Sequence, residues 1–409
     1  MRRYESYKDS GVEWLGEVPS HWESFPLFVQ AKISSITNHI DKELLSVYLD
    51  RGVVRFSDVD EKRTNVTSLD LSKYQLVRKG NLVLNNQQAW RGSVGVSSYE
   101  GIVSPAYLIL ELSNKFDPHY ANYLFRNGSM VSHYLIASKG VGTIQRNLYW
   151  GNLRRTPIFI PPLSEQQKIA QFLDDKTAKI DQAVDLAEKQ IALLKEHKQI
   201  LIQNAVTRGL NPDVPLKDSG VEWIGQVPEH WEVKKLKYLS KIKSGDSIIN
   251  SNLSEEYLYE VFGGNGFMGY FYKYNVSGEN IIIGRVGALC GNIRYINEEK
   301  WITDNALILN LINLSKTLYS YVSYVLECAN LNALSVSNAQ PLITGTKVMN
   351  ISIAIPPLSE QKQIIDYLDK QTAKIDQAIA LKTAHIEKLK EYKSVLINDA
   401  VTGKVRVSV

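Results

Sequence analysis

The clearest hydrophobic pattern in the chain is a heptad-like repeat that occurs twice, in residues 160–210 and 355–405. Apolar or small residues recur there at alternating spacings of three and four, which is typical of long helices that bury a narrow stripe. In the first copy they are Ile169, Leu173, Ile180, Val184, Ala187, Ile191, Leu194, Leu201 and Ala205. In the second copy they are Ile364, Leu368, Ile375, Ile379, Ile386, Leu389, Leu396 and Ala400. A helix of this length needs a partner for its stripe, so we predict that the two copies pair as a coiled coil.

Local signals predict where the first long helix begins and ends. The proline pair at residues 161–162 prevents the helix from extending upstream. Ser164, followed three positions later by Gln167, predicts an N-terminal capping box. Gly209 and Pro212 then predict the end of the helix.

A second repeat precedes each variable part of the chain. The stretch "KDSGVEWLGEVPSHWE" begins at Lys8, and "KDSGVEWIGQVPEHWE" begins at Lys217. Because both copies are followed by unlike sequence, we interpret the repeat as a common segment that attaches two different domains to the long helices. We expect its tryptophans to pack against the ends of the long helices. These tryptophans are Trp14, Trp22, Trp223 and Trp231.

The two variable blocks, residues 24–158 and 233–353, mix short β-rich runs with a few helical stretches. Examples are the apolar runs "NLVLNN", "AYLILEL", "NIIIG" and "ALILNL", and one of the helical stretches, "PHYANYLFRNGSMVSHYLIAS", which carries an apolar face. The predicted fold class is α+β, with two α/β domains, a long two-helix coiled coil and a pseudo-twofold internal repeat. The predicted boundaries are 1–158 for domain 1 (shared motif 8–23), 159–210 for the first helix, 211–353 for domain 2 (shared motif 217–232) and 354–409 for the second helix.

Composition narrows the class of protein. Only two cysteines occur, and neither a leader peptide nor an apolar span long enough to cross a membrane is visible, so we expect a cytoplasmic protein. The formal net charge is +4. Basic residues are concentrated in the first block, which favours a polyanionic partner there. The blocks differ in their exposed polar sequence, although their apolar framework is similar.

The residue types in two loops of each block point to double-stranded DNA. Arg and Lys can anchor phosphates, while Arg, Gln and Asn can read base edges through paired hydrogen bonds. In the first block the candidates are Gln87, Gln88, Trp90, Arg91, Lys139, Thr143, Gln145, Arg146, Asn147 and Tyr149. In the second block they are Arg285, Asn292, Arg294, Asn338, Gln340, Thr344, Thr346 and Lys347. For Tyr149, as for Trp150, a place in the hydrophobic core is the alternative.

No catalytic set is apparent, and we expect no metal-binding or cofactor-binding residues in this chain. The motif "IPPL" lacks the polar residue and the aromatic ring that an amino-methyltransferase needs, because Ile160 and Leu163 stand in those places. His21 and His230 are expected to be structural, since no Cys or His lies at metal-ligand spacing from them. A coiled-coil adaptor with two protein-binding heads is the competing interpretation, and it predicts no salt-dependent affinity for DNA.

The order of these parts resembles a known family. The shared phrase before a variable block, and "IPPLSEQ" opening a long helix, both stated twice, are similar to the specificity (S) subunit of type I restriction-modification systems. The resemblance covers essentially the whole chain. It implies that each block is a target recognition domain for half of a split DNA site and that the helices form an antiparallel coiled coil.

The resemblance also implies partners and cofactors. Two methyltransferase (M) subunits would dock on the conserved helices, with S-adenosylmethionine bound to M rather than to this chain. Restriction (R) subunits, which use ATP and Mg, would join the complex. Because the polar loops of the two blocks differ, we predict an asymmetric bipartite DNA site.

Overall fold

The structure, a computed structural model, describes residues 2–12, 15–59, 70–141, 145–287, 289–334 and 341–407. It divides into two compact units, residues 1–187 with 384–409, and residues 188–383. Each unit therefore contains one variable block, called domain 1 or domain 2 below, together with part of both long helices.

The N-terminal part of the first unit, residues 1–187, consists of short strands and helices followed by most of the first long helix. Its strands are β1 (Tyr7–Asp9), β2 (Glu17–Pro19), β3 (Glu23–Pro26), β4 (Ala31–Ser34), β5 (Leu45–Tyr48), β6 (Gly52–Arg55), β7 (Gln75–Val77), β8 (Asn81–Asn85), β9 (Val94–Val96), β10 (Gly101–Val103), β11 (Tyr107–Leu112), β12 (Ser138–Val141), β13 (Gln145–Leu148) and β14 (Pro157–Ile160). Its helices are α1 (Leu27–Gln30), α2 (Pro118–Arg126), α3 (Gly128–Ala137), α4 (Trp150–Leu153) and α5 (Leu163–Arg208), of which α5 continues into the second unit.

An antiparallel sheet in the order β4-β11-β8-β9 forms the centre of domain 1. On one face Leu82 and Leu110 join a hydrophobic cluster that includes Tyr120 of α2. On the other face Val83 and Ile109 pack in a second cluster. Burial of both faces explains why β8 and β11 are continuous apolar runs without polar alternation.

The predicted helical stretch after β11 is helical in the structure, where it is divided into two helices, α2 and α3. Asn127 separates α2 from α3 with an extended backbone conformation. Its side chain accepts a hydrogen bond from the Met130 backbone N–H at 2.9 Å, and its amide donates to the Leu124 carbonyl. Asparagine competes in this way for backbone groups that a continuous helix would use.

Domain 2 has the same central sheet, which confirms the predicted internal repeat. Its strands are β15 (Leu216–Asp218), β16 (Gln226–Pro228), β17 (Glu232–Lys235), β18 (Ser240–Ser244), β19 (Tyr259–Gly263), β20 (Gly266–Phe271), β21 (Glu279–Gly284), β22 (Ile293–Asn297), β23 (Trp301–Ile302), β24 (Ala306–Leu311) and β25 (Ser352–Ile355). Its helices are α6 (Tyr319–Cys328) and α7 (Gly345–Met349), followed by the long α8 (Leu358–Val401). The order β18-β24-β21-β22 matches that of domain 1. The hairpin β19–β20, in which β19 pairs in parallel with β23, matches the hairpin β5–β6 of domain 1, beside which Leu44 forms a parallel bridge with Ile102 of β10.

The first long helix ends where it was predicted to end but begins differently. The Gln166 N–H donates to the Pro162 carbonyl, so α5 starts directly after the prolines and Ser164 lies inside its first turn. The predicted capping box is therefore wrong, because proline at the boundary already supplies the helical φ and lacks an N–H. Gly209 ends α5 at φ +74°, and a Cβ there would lie 3.1 Å from the Trp231 ring.

Within the second unit the two long helices run antiparallel. Gln190 accepts a hydrogen bond from Lys382, and Lys198 forms an ion pair with Asp376 at 2.7 Å. Residue numbers therefore rise along α5 while those of the contacting residues fall along α8. In the first unit Lys393 pairs in the same way with Asp181 at 2.6 Å. The lysines that interrupt the apolar stripe thus reach polar partners on the opposite helix.

Each domain is attached to its long helix by matching hydrogen bonds. The buried Gln166 side chain accepts from the Asp117 N–H and donates to the Lys115 and Pro161 carbonyls. Tyr123 of α2 donates to Asp174 at 2.8 Å, and burial raises the pKa of this phenol to about 12, so it remains a donor. In domain 2 the corresponding side chains make the same contacts; they are Gln361, bonded to Leu318, Lys316 and Pro356, and Tyr324, bonded to Asp369.

Candidate nucleic-acid interface

Domain 1 brings together two candidate segments that lie far apart in the sequence. The hairpin β12–β13 pairs Lys139 with Asn147 and Gly140 with Arg146. Immediately after it, the Leu148 N–H donates to the Asn86 carbonyl at 2.9 Å, which fixes the hairpin beside the turn at residues 86–92. The fold therefore places the two predicted loops at one site.

Trp90 lies at the centre of this site. Its indole N–H donates to the Gln87 carbonyl at 2.9 Å, which holds the half-buried ring in place. The Arg91 guanidinium lies 4.7 Å from the ring centroid, and that of Arg146 lies 6.0 Å from it. Stacking on an aromatic face reduces the freedom of a guanidinium while leaving its N–H donors available.

The other candidates of domain 1 surround this cluster. Gln87 and Asn147 are exposed, and Gln88 is half-buried. Tyr149 is 49% exposed, so a core position is wrong for this residue, and the Lys139 ammonium lies 5.7 Å from its ring. Trp150, in contrast, packs against the hydrophobic core. Gln145 lies in β13, and Thr143 falls outside the described residues.

Within the described part of the chain, the cations of this site have no carboxylate partner. In the described parts of the chain no ion pair involves Arg91, Lys139 or Arg146, whereas Arg78 elsewhere in the domain pairs with Glu111. Basic side chains left without a counter-charge produce the local positive potential that a phosphate backbone neutralises. The arrangement therefore combines side chains that can anchor phosphates with side chains that can read base edges.

Domain 2 divides its candidates between two places. Arg285, Thr344 and Thr346 line an open groove of about 610 Å³. Asn292 and Arg294 line a separate cavity of about 50 Å³, where the Arg294 guanidinium lies 4.3 Å from the centroid of the Phe262 ring. The first group is considered further below.

The remaining described candidate of domain 2, Lys347, lies in α7, the helix that begins next to Thr344. The Thr344 hydroxyl caps this helix by accepting from the Lys347 N–H at 3.4 Å, so one of its lone pairs is already used. Lys347 is exposed on the same short helix. Asn338 and Gln340 fall outside the described residues.

The repeated phrase forms a junction with the start of each long helix. Glu165 accepts from the Trp22 indole at 3.2 Å and contacts the His21 ring at 2.8 Å. Glu360 receives the same two contacts from Trp231 and His230. Both tryptophans are buried, Trp223 is half-buried against the core, and Trp14 falls outside the described residues.

The sequence did not single out these glutamates, although both stand at the same place in the repeated "PPLSEQ". Tyr4 also donates to Glu165, at 2.6 Å, and burial raises the pKa of its phenol well above the usual value. A carboxylate with three donors of this kind is a structural anchor. The histidines are therefore part of the junction, and among the described residues no cluster of metal-binding side chains occurs.

Comparison with known proteins agrees with this arrangement. The family model described as the type I restriction modification DNA specificity domain matches twice, at residues 36–195 and 228–391. These matches span most of the chain. The chain belongs to the type I specificity-subunit family.

Curated relatives carry the same description. A putative type I restriction enzyme MjaX specificity subunit from Methanocaldococcus jannaschii is 27% identical over 96% of both chains. The EcoprrI specificity subunit from Escherichia coli is 31% identical over 144 residues, which are 34% of this chain and 35% of the relative. The chain is thus a specificity subunit, the DNA-recognition and non-catalytic component of such a system.

Solved structures of specificity subunits share the fold. A chain from a study of complex assembly and conformational transition of the type I R-M system has a TM-score of 0.72 at 18% identity, with 95% of this chain and 99% of that chain covered. The HsdS subunit from Thermoanaerobacter tengcongensis has a TM-score of 0.54, also at 18% identity, with 97% and 100% covered. No helix in the described residues of this specificity subunit is long and apolar enough to cross a membrane.

Proposed function

We propose that this specificity subunit recognises an asymmetric bipartite DNA site, with each domain reading one half. The supporting observation is that equivalent positions of the two domains, in the central sheet and in the turns and loops beside it, carry unlike side chains. Arg91 and Arg146 in domain 1 correspond to Cys290 and Pro341 in domain 2. Arg294 in domain 2 corresponds to a glycine in domain 1. Unlike donors and acceptors select unlike bases.

Methylation mapping tests this proposal directly. The chain and its M partner are expressed in a host that lacks other adenine methylation, and modified adenines are mapped across the genome. The expected motif has two different specific parts separated by a non-specific spacer. A continuous motif or a palindrome would contradict the proposal, and a complex with no salt-dependent DNA affinity would favour the protein-binding adaptor.

The same proposal includes two M subunits docked on the long helices, and R subunits that join them. Several large apolar side chains on these helices are exposed outside the seam. In the second unit they are Leu193 and Ile200 of α5, seven residues apart, and Leu381 of α8; in the first unit they are Leu186, Tyr392 and Val395. Apolar residues spaced by seven form a stripe that another helix can cover.

Replacing Leu193 with lysine is expected to weaken association with M by about tenfold or more, because a charge would be buried in an apolar contact. Size-exclusion chromatography and titration of labelled M would measure the effect. Gln199→Lys adds the same charge at an exposed position on another side of the helix and serves as the control. Equal losses in both variants would argue against this docking surface.

Cofactors are assigned to the partners in this proposal. S-adenosylmethionine would bind to M, and ATP with Mg would bind to R, while this chain contributes recognition and assembly. A cytoplasmic location is consistent with the unpaired Cys290 and Cys328.

A further inference from the structure

Domain 2 contains an open groove that the sequence identified only in part. One side is formed by Lys237, which follows β17, and by Lys243 and Ser244 at the end of β18. The other side is formed by Arg285 and by the start of α7. The groove measures about 610 Å³ and opens to solvent, so it can receive part of a larger molecule.

Three cations at this groove have no carboxylate partner among the described residues. In the described ranges no ion pair involves Lys237, Lys243 or Arg285, although Lys234 and Lys300 of the same domain pair with glutamates. The groove therefore has a local positive charge that the protein itself does not neutralise. An anionic ligand would be attracted to this charge. If the three cations had only a structural role, acidic side chains of the protein would be expected to pair with them.

The Arg285 guanidinium is held in place while part of it remains free. Its Nη1 donates to the Ser244 hydroxyl at 3.2 Å and approaches the Asp304 carbonyl at 3.5 Å. An arginine has five N–H donors, so donors remain for a ligand. Preorganisation of this kind lowers the entropy that is lost when a planar acceptor pair is bound.

Closely packed glycines fix the backbone around Arg285. A Cβ on Gly284 would lie 2.6 Å from the Leu289 carbonyl oxygen, and one on Gly245 would lie 2.2 Å from that of Ile302. Only glycine permits such an approach. The segments that carry Ser244 and Arg285 are therefore rigidly positioned at the wall of the groove.

Domain 1 has different chemistry at the same place in its fold. Leu27 and Leu236 occupy equivalent positions, since their N–H groups donate to the equivalent Thr156 and Ile351 carbonyls. The next residue is Phe28 in domain 1 and Lys237 in domain 2, and Phe28 is 51% exposed. A surface required by the fold would be alike in both domains, so this difference points to recognition.

We propose that the groove binds the half-site read by domain 2, with Arg285 contacting a guanine edge and Lys237 and Lys243 contacting flanking phosphates. This inference rests on the proposed function. Guanine presents two acceptors, N7 and O6, in the major groove, and a fixed guanidinium matches that pair. The lysines are point charges on flexible stems, which suit phosphates.

The test uses the full chain assembled with its M partner and a duplex that carries the mapped motif. Affinity is measured for this duplex and for duplexes with each guanine of one half-site replaced. Arg285→Ala is expected to lose about 10- to 100-fold in discrimination at one guanine of the domain 2 half-site only. Lys237→Ala and Lys243→Ala are each expected to weaken all sequences equally and to reduce the salt slope by about 1.

Two further variants make the outcome decisive. Arg285→Lys keeps the charge but not the fork, so it should lose part of the discrimination that Arg285→Ala loses in full. If both variants keep full discrimination and Arg285→Ala binds all sequences more weakly, Arg285 contacts a phosphate and the guanine assignment is overturned. Lys273→Ala removes an exposed lysine that does not line the groove, and it should leave the salt slope unchanged.

The failure of this inference differs from the failure of the proposed function. If the wild-type complex reads a bipartite site while the groove variants behave like Lys273→Ala, the groove assignment alone is wrong. If the wild-type complex reads no bipartite site, the proposed function is wrong. Melting temperatures confirm that each variant is folded, and Lys237→Ala, which removes an exposed side chain, keeps the groove testable if Arg285→Ala is unstable.

Discussion

Replacing Trp22 with alanine is expected to lower the free energy of unfolding of the first unit by about 3–5 kcal/mol. The side chain is 1% exposed and contacts Glu165 through its indole N–H. It also lies against the end of α8, where a Cβ on Gly403 would be 3.1 Å from its ring. Removal leaves a cavity and an acceptor without its donor, which together account for the large effect.

Calorimetry of the full chain would measure this loss as a lower melting temperature of one transition. Because Trp22 belongs to the segment that attaches domain 1 to the long helices, assembly with M should weaken while the bases read by the complex stay the same. Trp90→Ala is the matched control in the same domain, and its half-buried ring should cost under about 1 kcal/mol of stability. Altered base preference in Trp22→Ala would contradict this attachment role.

Trp90→Ala is expected to keep most of the stability that Trp22→Ala loses, but to bind one half-site more weakly, with a loss in affinity on the order of 100-fold. The ring supports both Arg91 and Arg146, so its removal frees two guanidinium groups at once. Arg146→Ala removes only one of them and should cost about 10-fold or somewhat more. Binding of the complex to half-site variants measures both effects.

The half-site that domain 2 reads supplies the internal control for these variants. Its base preferences should be unchanged in Trp90→Ala and in Arg146→Ala. Unchanged binding to all variants of both half-sites would reject the role of the cluster. Equal loss of preference in both half-sites would indicate general damage to the complex instead of a lost contact.

Regular features of the fold could be predicted from the sequence because they depend on local periodicity. The stripe that includes Ile169 and Leu173 predicted a buried helix seam, and both side chains are buried in the structure. Gly209 predicted the helix end because few other residues adopt its positive φ. The repeat of Asn81–Asn85 at residues 279–284 predicted a common sheet, and both segments form the same central strand.

Features that depend on contacts distant in sequence could not be predicted in this way. Trp90 and Arg146 meet only because a hairpin folds back beside a turn, and no local pattern encodes that approach. In the sequence, Glu165 has the position of an ordinary carboxylate in the first turn of a helix. Its contacts with the side chains of Trp22 and His21 join residues more than 140 positions apart, which no local pattern encodes. The DNA-contacting role of the candidate residues stays a prediction.

The matched attachments have a consequence for the evolution of new specificities. Gln166 and Gln361 hold backbone groups of their domains, while Glu165 and Glu360 hold side chains of the repeated phrase. All four belong to segments outside the variable blocks. A gene that exchanges one block for another therefore keeps the attachment unchanged. Under the proposed function, recombination between the repeated segments would replace half of the recognised site in a single event, while the attachments of the domain to the long helices stay the same.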